Sequence, residues 1–282
     1  MLSGFLRRLF TRCPPAGRQL GLLREHEAIA ERHTRVRAAW APHLAECRKV
    51  VLETAARCPQ RRRALVIGAG DCLDVPVAEL AERFDEVVLA DIVLSAEVRR
   101  WVRKMPGRVR GEVWDASGAL AALAAVRETV TATVAPDFFA RADPGPPPGG
   151  LADFIVSANC ISQLGLVPGH SLPAYEQDTG LPERCARAAA KRHLAWLAQQ
   201  PGVRLLLADA ARLDLGPDGR QLKKETLHER FGLPKPDRTW RWDLAPIPEW
   251  SPDFHRVHEV GAWVWPEHPD GTRAGALSGL PG

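Results

Sequence analysis

The chain has 282 residues, 45% of them apolar and 26% charged, the make-up of a globular protein large enough to bury a full core. No apolar run reaches the roughly 18 residues that a membrane-spanning helix needs. The net charge of +4 conceals an imbalance: residues 1–64 carry 14 Arg and Lys against 5 Glu, and the remainder carries 24 against 29 acids.

The basic stretch 1–64 is read either as a solvated helical extension or as a contact for an anionic surface such as RNA. The six cysteines (13, 47, 58, 72, 160 and 185) show neither C-x-x-C nor zinc spacing. That pattern predicts free thiols in a reducing, cytoplasmic setting and no metal site. In residues 1–12, Phe5, Leu6, Leu9 and Phe10 alternate with Arg7, Arg8 and Arg12. A packing or frayed terminus, a short interfacial helix and an Arg-rich targeting segment all fit. No sustained helical stripe runs through residues 1–18, so their removal is expected to leave the fold intact. Residues 19–58 predict two helices separated at Pro42. Leu44, Cys47, Val51, Ala55 and Cys58 recur on one face of the second. Residues 1–62 are therefore expected to be an N-terminal helical extension.

The stretch 63–76 reads Arg-Ala-Leu-Val-Ile-Gly-Ala-Gly-Asp-Cys-Leu-Asp-Val-Pro. An apolar run meets Gly68 and Gly70, and a helical pattern of Leu73, Val77, Leu80 and Phe84 follows. Strand, tight turn and helix are predicted. Glycines there let the backbone approach a ligand, with the N–H groups of the helix start pointing at it. Strands are predicted at 64–67, 86–91, 109–114, 153–157 and 203–208. Helices are predicted near 98–102 and over 118–131 and 182–200. The Pro- and Gly-rich stretch 143–150 is a link without regular structure. Gly216-Pro-Asp-Gly219 is a turn, and 239–243 with 255–265 form a closing antiparallel pair. This alternation predicts an α/β fold over 63–265: a doubly wound, mostly parallel sheet, helices on both faces and a closing hairpin. Residues 266–282 are expected to fray.

Three features bear on the ligand. Asp91 ends strand two, 23 residues beyond Gly68, where a carboxylate faces ribose hydroxyls in a doubly wound sheet. Asp115 follows strand three, where an adenine edge would lie. Leu73 stands where a dinucleotide fingerprint has its third glycine, which a ligand without phosphates does not require. Here the chain resembles the class I S-adenosylmethionine-dependent methyltransferases, over about residues 64–210 and the closing hairpin. Val66 departs from the family, which often carries an acid at that position. The resemblance implies S-adenosylmethionine as cofactor. Gly68 and Gly70 would lie under its methionine moiety, Asp91 would bind the ribose, and Asp115 the adenine amino group. Asp71 and Cys72 would lie near the helix start that faces the ligand, and Asn159 beside it. A nicotinamide or flavin enzyme is the competing cofactor assignment.

The acceptor side is less defined. Ser157-Ala158-Asn159-Cys160-Ile161-Ser162-Gln163 follows strand four, where this fold reaches the donor methyl. Asn159, Ser162 and Gln163 can orient a polar substrate or merely cap the strand. Methyl transfer from a sulfonium needs alignment above all, and a base only when the acceptor must lose a proton. His170 is the preferred base among His170, His193, His255 and His258, since it lies in the segment after strand four. Alternating Trp240 with Trp242, and Trp263 with Trp265, puts each pair on one strand face. Each pair is either a packing face or a platform for a flat substrate. The expected activity is methyl transfer to an acceptor that the residues do not identify. The alternative is a non-catalytic module of the same fold docking on RNA or an acidic partner through the basic arm.

Overall fold

The computed structural model describes residues 11–266. The apolar N-terminal stretch through Phe10 and the tail from residue 267 lie outside the described residues. Three N-terminal helices, α1 (Pro15–Gln19), α2 (Leu22–Arg35) and α3 (Arg37–Ala55), precede the sheet. Then come β1 (Arg63–Ile67), α4 (Val77–Arg83), β2 (Glu86–Asp91), α5 (Ala96–Lys104) and β3 (Val109–Val113). They are followed by α6 (Leu120–Ala125), α7 (Ala135–Arg141), β4 (Phe154–Ala158), α8 (Leu166–Ser171) and α9 (Leu181–Ala198). The chain closes with β5 (Val203–Leu215), β6 (Gln221–Thr226), β7 (Arg238–Ala245) and β8 (His255–Trp265).

The strands join in the order β3-β2-β1-β4-β5-β8-β7, with β6 paired to β5 outside this path. The pairs among β1 to β5 are parallel, and β8 runs antiparallel between β5 and β7. The sheet is therefore doubly wound and mostly parallel, with the closing antiparallel pair expected from the aromatic segments. From β1 the chain steps outward to β2 and β3, then returns to β4 on the other side. The carboxyl ends of β1 and β4 thus form a topological switch point, where ligands of open α/β sheets settle.

Alternation along the strands builds a three-layer core. Ala64, Val66, Val87, Leu89, Phe154 and Val156 face α3 and α4. Leu65, Ile67, Val88, Ala90 and Ile155 face the other way, toward Ala190, Leu194 and Leu197 of α9. The opposite side of α9 meets α6, α7 and α1 around Leu20, Leu123, Phe139 and Leu181.

Several elements differ from the pattern read in the sequence. The helix break falls at Val36, and Pro42 lies inside α3. Pro42 is the sixth residue of α3, so the helix forgoes the bond its N–H would make to the Ala38 carbonyl and continues past it to Ala55. The helix after Gly70 begins only at Val77, so the glycine loop is longer than expected. The region 118–131 holds only the short α6, and α7 lies where the sequence pattern predicts no helix. β5 runs on to Leu215 and forms a hairpin with β6 around Gly216–Gly219. Residues 12–18 belong to the fold. Arg12 and Leu94 exchange backbone hydrogen bonds at 2.9 and 2.8 Å, and Cys13, Gly17 and Leu20 are buried. A single β-bridge and one short helix leave no periodic trace in the sequence. Among the described residues no helix is long and apolar enough to cross a membrane.

Candidate functional site

A cavity of about 210 Å³ opens at the switch point. Its floor is the glycine loop after β1. Gly68 has φ +75°, and a Cβ there would meet Cys160 Cβ at 2.7 Å and the Ala158 carbonyl at 2.8 Å. Only glycine lets β1 turn so close to the end of β4. Gly70, with φ +50°, lines the cavity and has no atom nearer than 4.0 Å to the Cβ it lacks. The space above it is open to a ligand.

Asp91 sits at the carboxyl end of β2 and holds this loop in place. Its Oδ2 accepts from the Gly70 N–H at 2.9 Å and its Oδ1 from the Val93 N–H at 3.0 Å. Burial raises its carboxyl above the usual range, and those two N–H groups with nearby His26 oppose the rise. Each oxygen keeps a further acceptor direction for a ligand hydroxyl. Ser95, the N-cap of α5, donates to the Gly70 carbonyl at 2.8 Å and braces the loop from behind.

Asn159 follows β4 in the left-handed region, at φ +49°, a conformation Asn tolerates better than most residues. Its Nδ2 donates to Asp74 Oδ2 at 2.7 Å, and its Oδ1 is buried without a partner. Burial also raises the Asp74 carboxyl, while Asn159 and Arg48 lower it. Asp115 is largely engaged within the chain. Oδ1 accepts from the Ser117 N–H (2.9 Å) and hydroxyl (2.6 Å), and Oδ2 from the Leu120 N–H at 2.8 Å, which caps α6.

Of the residues singled out in the sequence, Gly68, Gly70, Asp71, Asp91, Asp115, Asn159 and Gln163 converge on the cavity. Cys72, Ser162 and His170 are not part of its lining. Cys72 is packed in the core layer that includes α3 and α4, where burial pushes its thiol well above the ordinary range. His170 is exposed on α8, its Nδ1 3.2 Å from the Leu166 carbonyl and its ring edge-on to Tyr175. His193 is buried, with Nε2 2.9 Å from the Ser157 hydroxyl. The Cys160 thiol lines the cavity, but burial pushes it up to about 12, so it stays protonated at neutral pH.

The N-terminal helices complete the walls. Leu22, Glu25, His26 and Ile29 of α2 line one side, with His26 Nε2 3.6 Å from Asp71 Oδ1. Trp40 and His43 of α3 meet Trp242 of β7 and Asp209 of β5 at another. The His43 and Trp242 rings stack at 4.2 Å and 7°, and Trp40 stands edge-on to Trp242 at 4.9 Å. Trp240 Nε1 donates to His43 Nδ1 at 3.0 Å, which leaves the neutral ring's proton on Nε2. Burial lowers His43 to about 4. Asp209 sits at an irregularity of β5, with Oδ1 2.9 Å from His258 Nδ1. Burial alone would raise its carboxyl, but His258, His43 and Arg212 together hold it below the usual range.

Asp209 carries the same signal as Asp91, an acid directly after an apolar strand run, and could have been found that way. His43 and Trp242 are 199 positions apart in sequence and carry no local signal of their pairing.

A comparison with protein-family models gives no match, and a comparison with curated proteins gives none. Solved structures give remote likenesses. One is the 1,6-didemethyltoxoflavin-N1-methyltransferase of Burkholderia thailandensis with S-adenosylhomocysteine bound, at 15% identity and TM-score 0.38, covering 85% of this chain and 89% of that one. Another is a SAM-dependent methyltransferase of Leishmania major, at 13% identity and TM-score 0.37, covering 80% and 74%. A third is an amino pentose methyltransferase of Micromonospora echinaspora with SAM bound, at 14% identity and TM-score 0.31, covering 76% and 90%. Scores this low carry no argument about this chain. The fold rests on its own strand order: a Rossmann-like, doubly wound sheet closed by an antiparallel pair.

Proposed function

We propose that the chain binds S-adenosylmethionine at the switch point and transfers its methyl group to an acceptor in the same cavity. One observation carries the reading. Six carboxylates line the cavity (Glu25, Asp71, Asp74, Asp91, Asp115 and Asp209), and among the described residues no Lys or Arg does. The phosphates of a dinucleotide would meet a lining dominated by carboxylates, with His26 and His43 as its basic side chains. S-adenosylmethionine has no phosphate and carries positive charge on its sulfonium and amino groups. The open space over Gly70 and the unpartnered Asn159 Oδ1 suit such a ligand.

Asp91 would hold the ribose hydroxyls, and the Gly68–Gly70 loop would lie under the methionine moiety. The cofactor supplies an electrophilic methyl group on sulfur. The chain's own contribution is to position both reactants and exclude water, with α2 and α3 closing the walls. The basic residues of the N-terminal region are partly spent on the fold itself. Arg62 pairs with Asp153 at 2.6 Å, and Arg35 pairs with Glu249 at 2.9 Å. That use favours the enzyme over a binding module whose arm is free to dock. Calorimetry separates the cofactors: S-adenosylmethionine should bind and NADH should not. Tight NADH binding with no binding of S-adenosylmethionine overturns the assignment.

A further inference from the structure

The end of the cavity between α3, β5 and β7 is built from side chains that the cofactor assignment does not use. Trp40, His43 and Trp242 form an aromatic wall, and Asp209 is the carboxylate beside it. Asp209 Oδ1 is buried without a hydrogen-bond partner. His258 Nδ1 lies 2.9 Å away as an ion-pair contact. Unsatisfied buried acceptors cost stability and call for donors.

We propose that the acceptor is a small organic amine, its apolar body against Trp40 and Trp242 and its nitrogen directed to Asp209. This inference rests on the methyl-transfer reading and names its substrate class. A primary ammonium brings three N–H donors, whereas a hydroxyl brings one; one of those protons would pass to Asp209 before the nitrogen's freed lone pair takes the methyl group. A cation is also attracted to the faces of tryptophan rings. A carboxylate or phosphate substrate would enter a cavity with six carboxylates and only His26 and His43 as basic lining residues. Its neighbours, His258 first, hold Asp209 below the usual carboxylate range against the effect of burial, so the carboxylate offered to a ligand cation is ionised.

The test uses the full chain and two probes of matched shape, benzylamine and benzoate, followed by tryptophan fluorescence with S-adenosylhomocysteine present and absent. Benzylamine should saturate the signal, and benzoate should bind at least tenfold more weakly. Asp209→Asn should weaken benzylamine roughly 10- to 100-fold, the loss expected for hydrogen bonds to a charged group. Affinity for S-adenosylhomocysteine should stay within about threefold of wild type. Benzoate binding as well as benzylamine, or no benzylamine binding, overturns the proposal, and neither result needs the variant to fold. An Asp209→Asn protein that keeps full benzylamine affinity also overturns it. If benzylamine binds and calorimetry finds no S-adenosylmethionine binding, the cofactor reading falls while the amine subsite stands. If the cofactor binds and benzylamine does not, the amine proposal falls alone.

Discussion

Asn159 Nδ2 donates to Asp74 Oδ2 at 2.7 Å and so joins the end of β4 to the loop between β1 and α4. The two strands flanking the switch point are tied across the cavity by this bond. Asn159→Ala removes a charge-assisted hydrogen bond and leaves Asp74 less compensated in a buried setting. The same change puts a residue with weaker left-handed preference at φ +49°. A loss of about 1–3 kcal/mol is expected, read from urea unfolding. An unchanged midpoint would show that the bond contributes nothing to stability.

Gly68→Ala tests the closeness of the strand ends. The added Cβ would stand 2.7 Å from Cys160 Cβ and 2.8 Å from a backbone oxygen that cannot swing aside. At φ +75° the residue is strained as well. The variant should lose about 1–3 kcal/mol of stability and bind S-adenosylmethionine at least tenfold more weakly. Paired thermal melts and calorimetry decide it.

Asp91→Ala addresses the cofactor directly. It removes the acceptor for the Gly70 and Val93 N–H groups and the proposed ribose contact together. Affinity for S-adenosylmethionine should fall roughly 10- to 100-fold. Full affinity in a folded variant would take Asp91 out of the site.

The buried histidines set a pH dependence. Burial lowers His193 to about 4, and His43 likewise to about 4, from an ordinary 6.5. In each case the unfolded chain binds a proton first as pH falls. Their stabilising contribution is complete above about pH 6.5 and is lost as pH drops toward 4. Asp74 and Asp91, with raised carboxyls, act in the opposite sense, because acid relieves their buried charge. The informative quantity is therefore a difference. His193→Gln should show a shallower fall in stability than wild type between pH 6.5 and 4, measured by denaturant unfolding at several pH values. Parallel curves would assign the slope to other groups.

Leu20→Ala probes the segment before α2. Leu20 has no exposed surface and packs in the layer that also holds Leu123, Phe139 and Leu181. Truncation of a fully buried leucine costs about 2–5 kcal/mol. A change below about 0.5 kcal/mol would return residues 12–20 to the status of a loose arm.

The strands and their faces were legible in the sequence because they are local. Ala64 to Ile67, Glu86 to Asp91 and Val203 to Ala208 are apolar runs that only a doubly covered sheet accommodates. Gly68 and Gly70 announce the turn through the one property no side chain can imitate. Asp91 and Asp115 were visible as acids ending strands, and Asn159 and Gln163 as polar residues after β4. The helix break at Val36 and the docking of residues 12–18 were not legible, because tertiary contacts decide them against weak local preferences. The wall made by Trp40, His43, Trp242 and Asp209 was hidden for a stronger reason. Its members come from α3, β5 and β7 and meet only because β8 pairs between β5 and β7, carrying Trp242 onto α3. Periodicity records which face of an element is buried; which distant element covers that face is decided by strand order, and this chain's strand order places an aromatic wall and a carboxylate at the cavity's end.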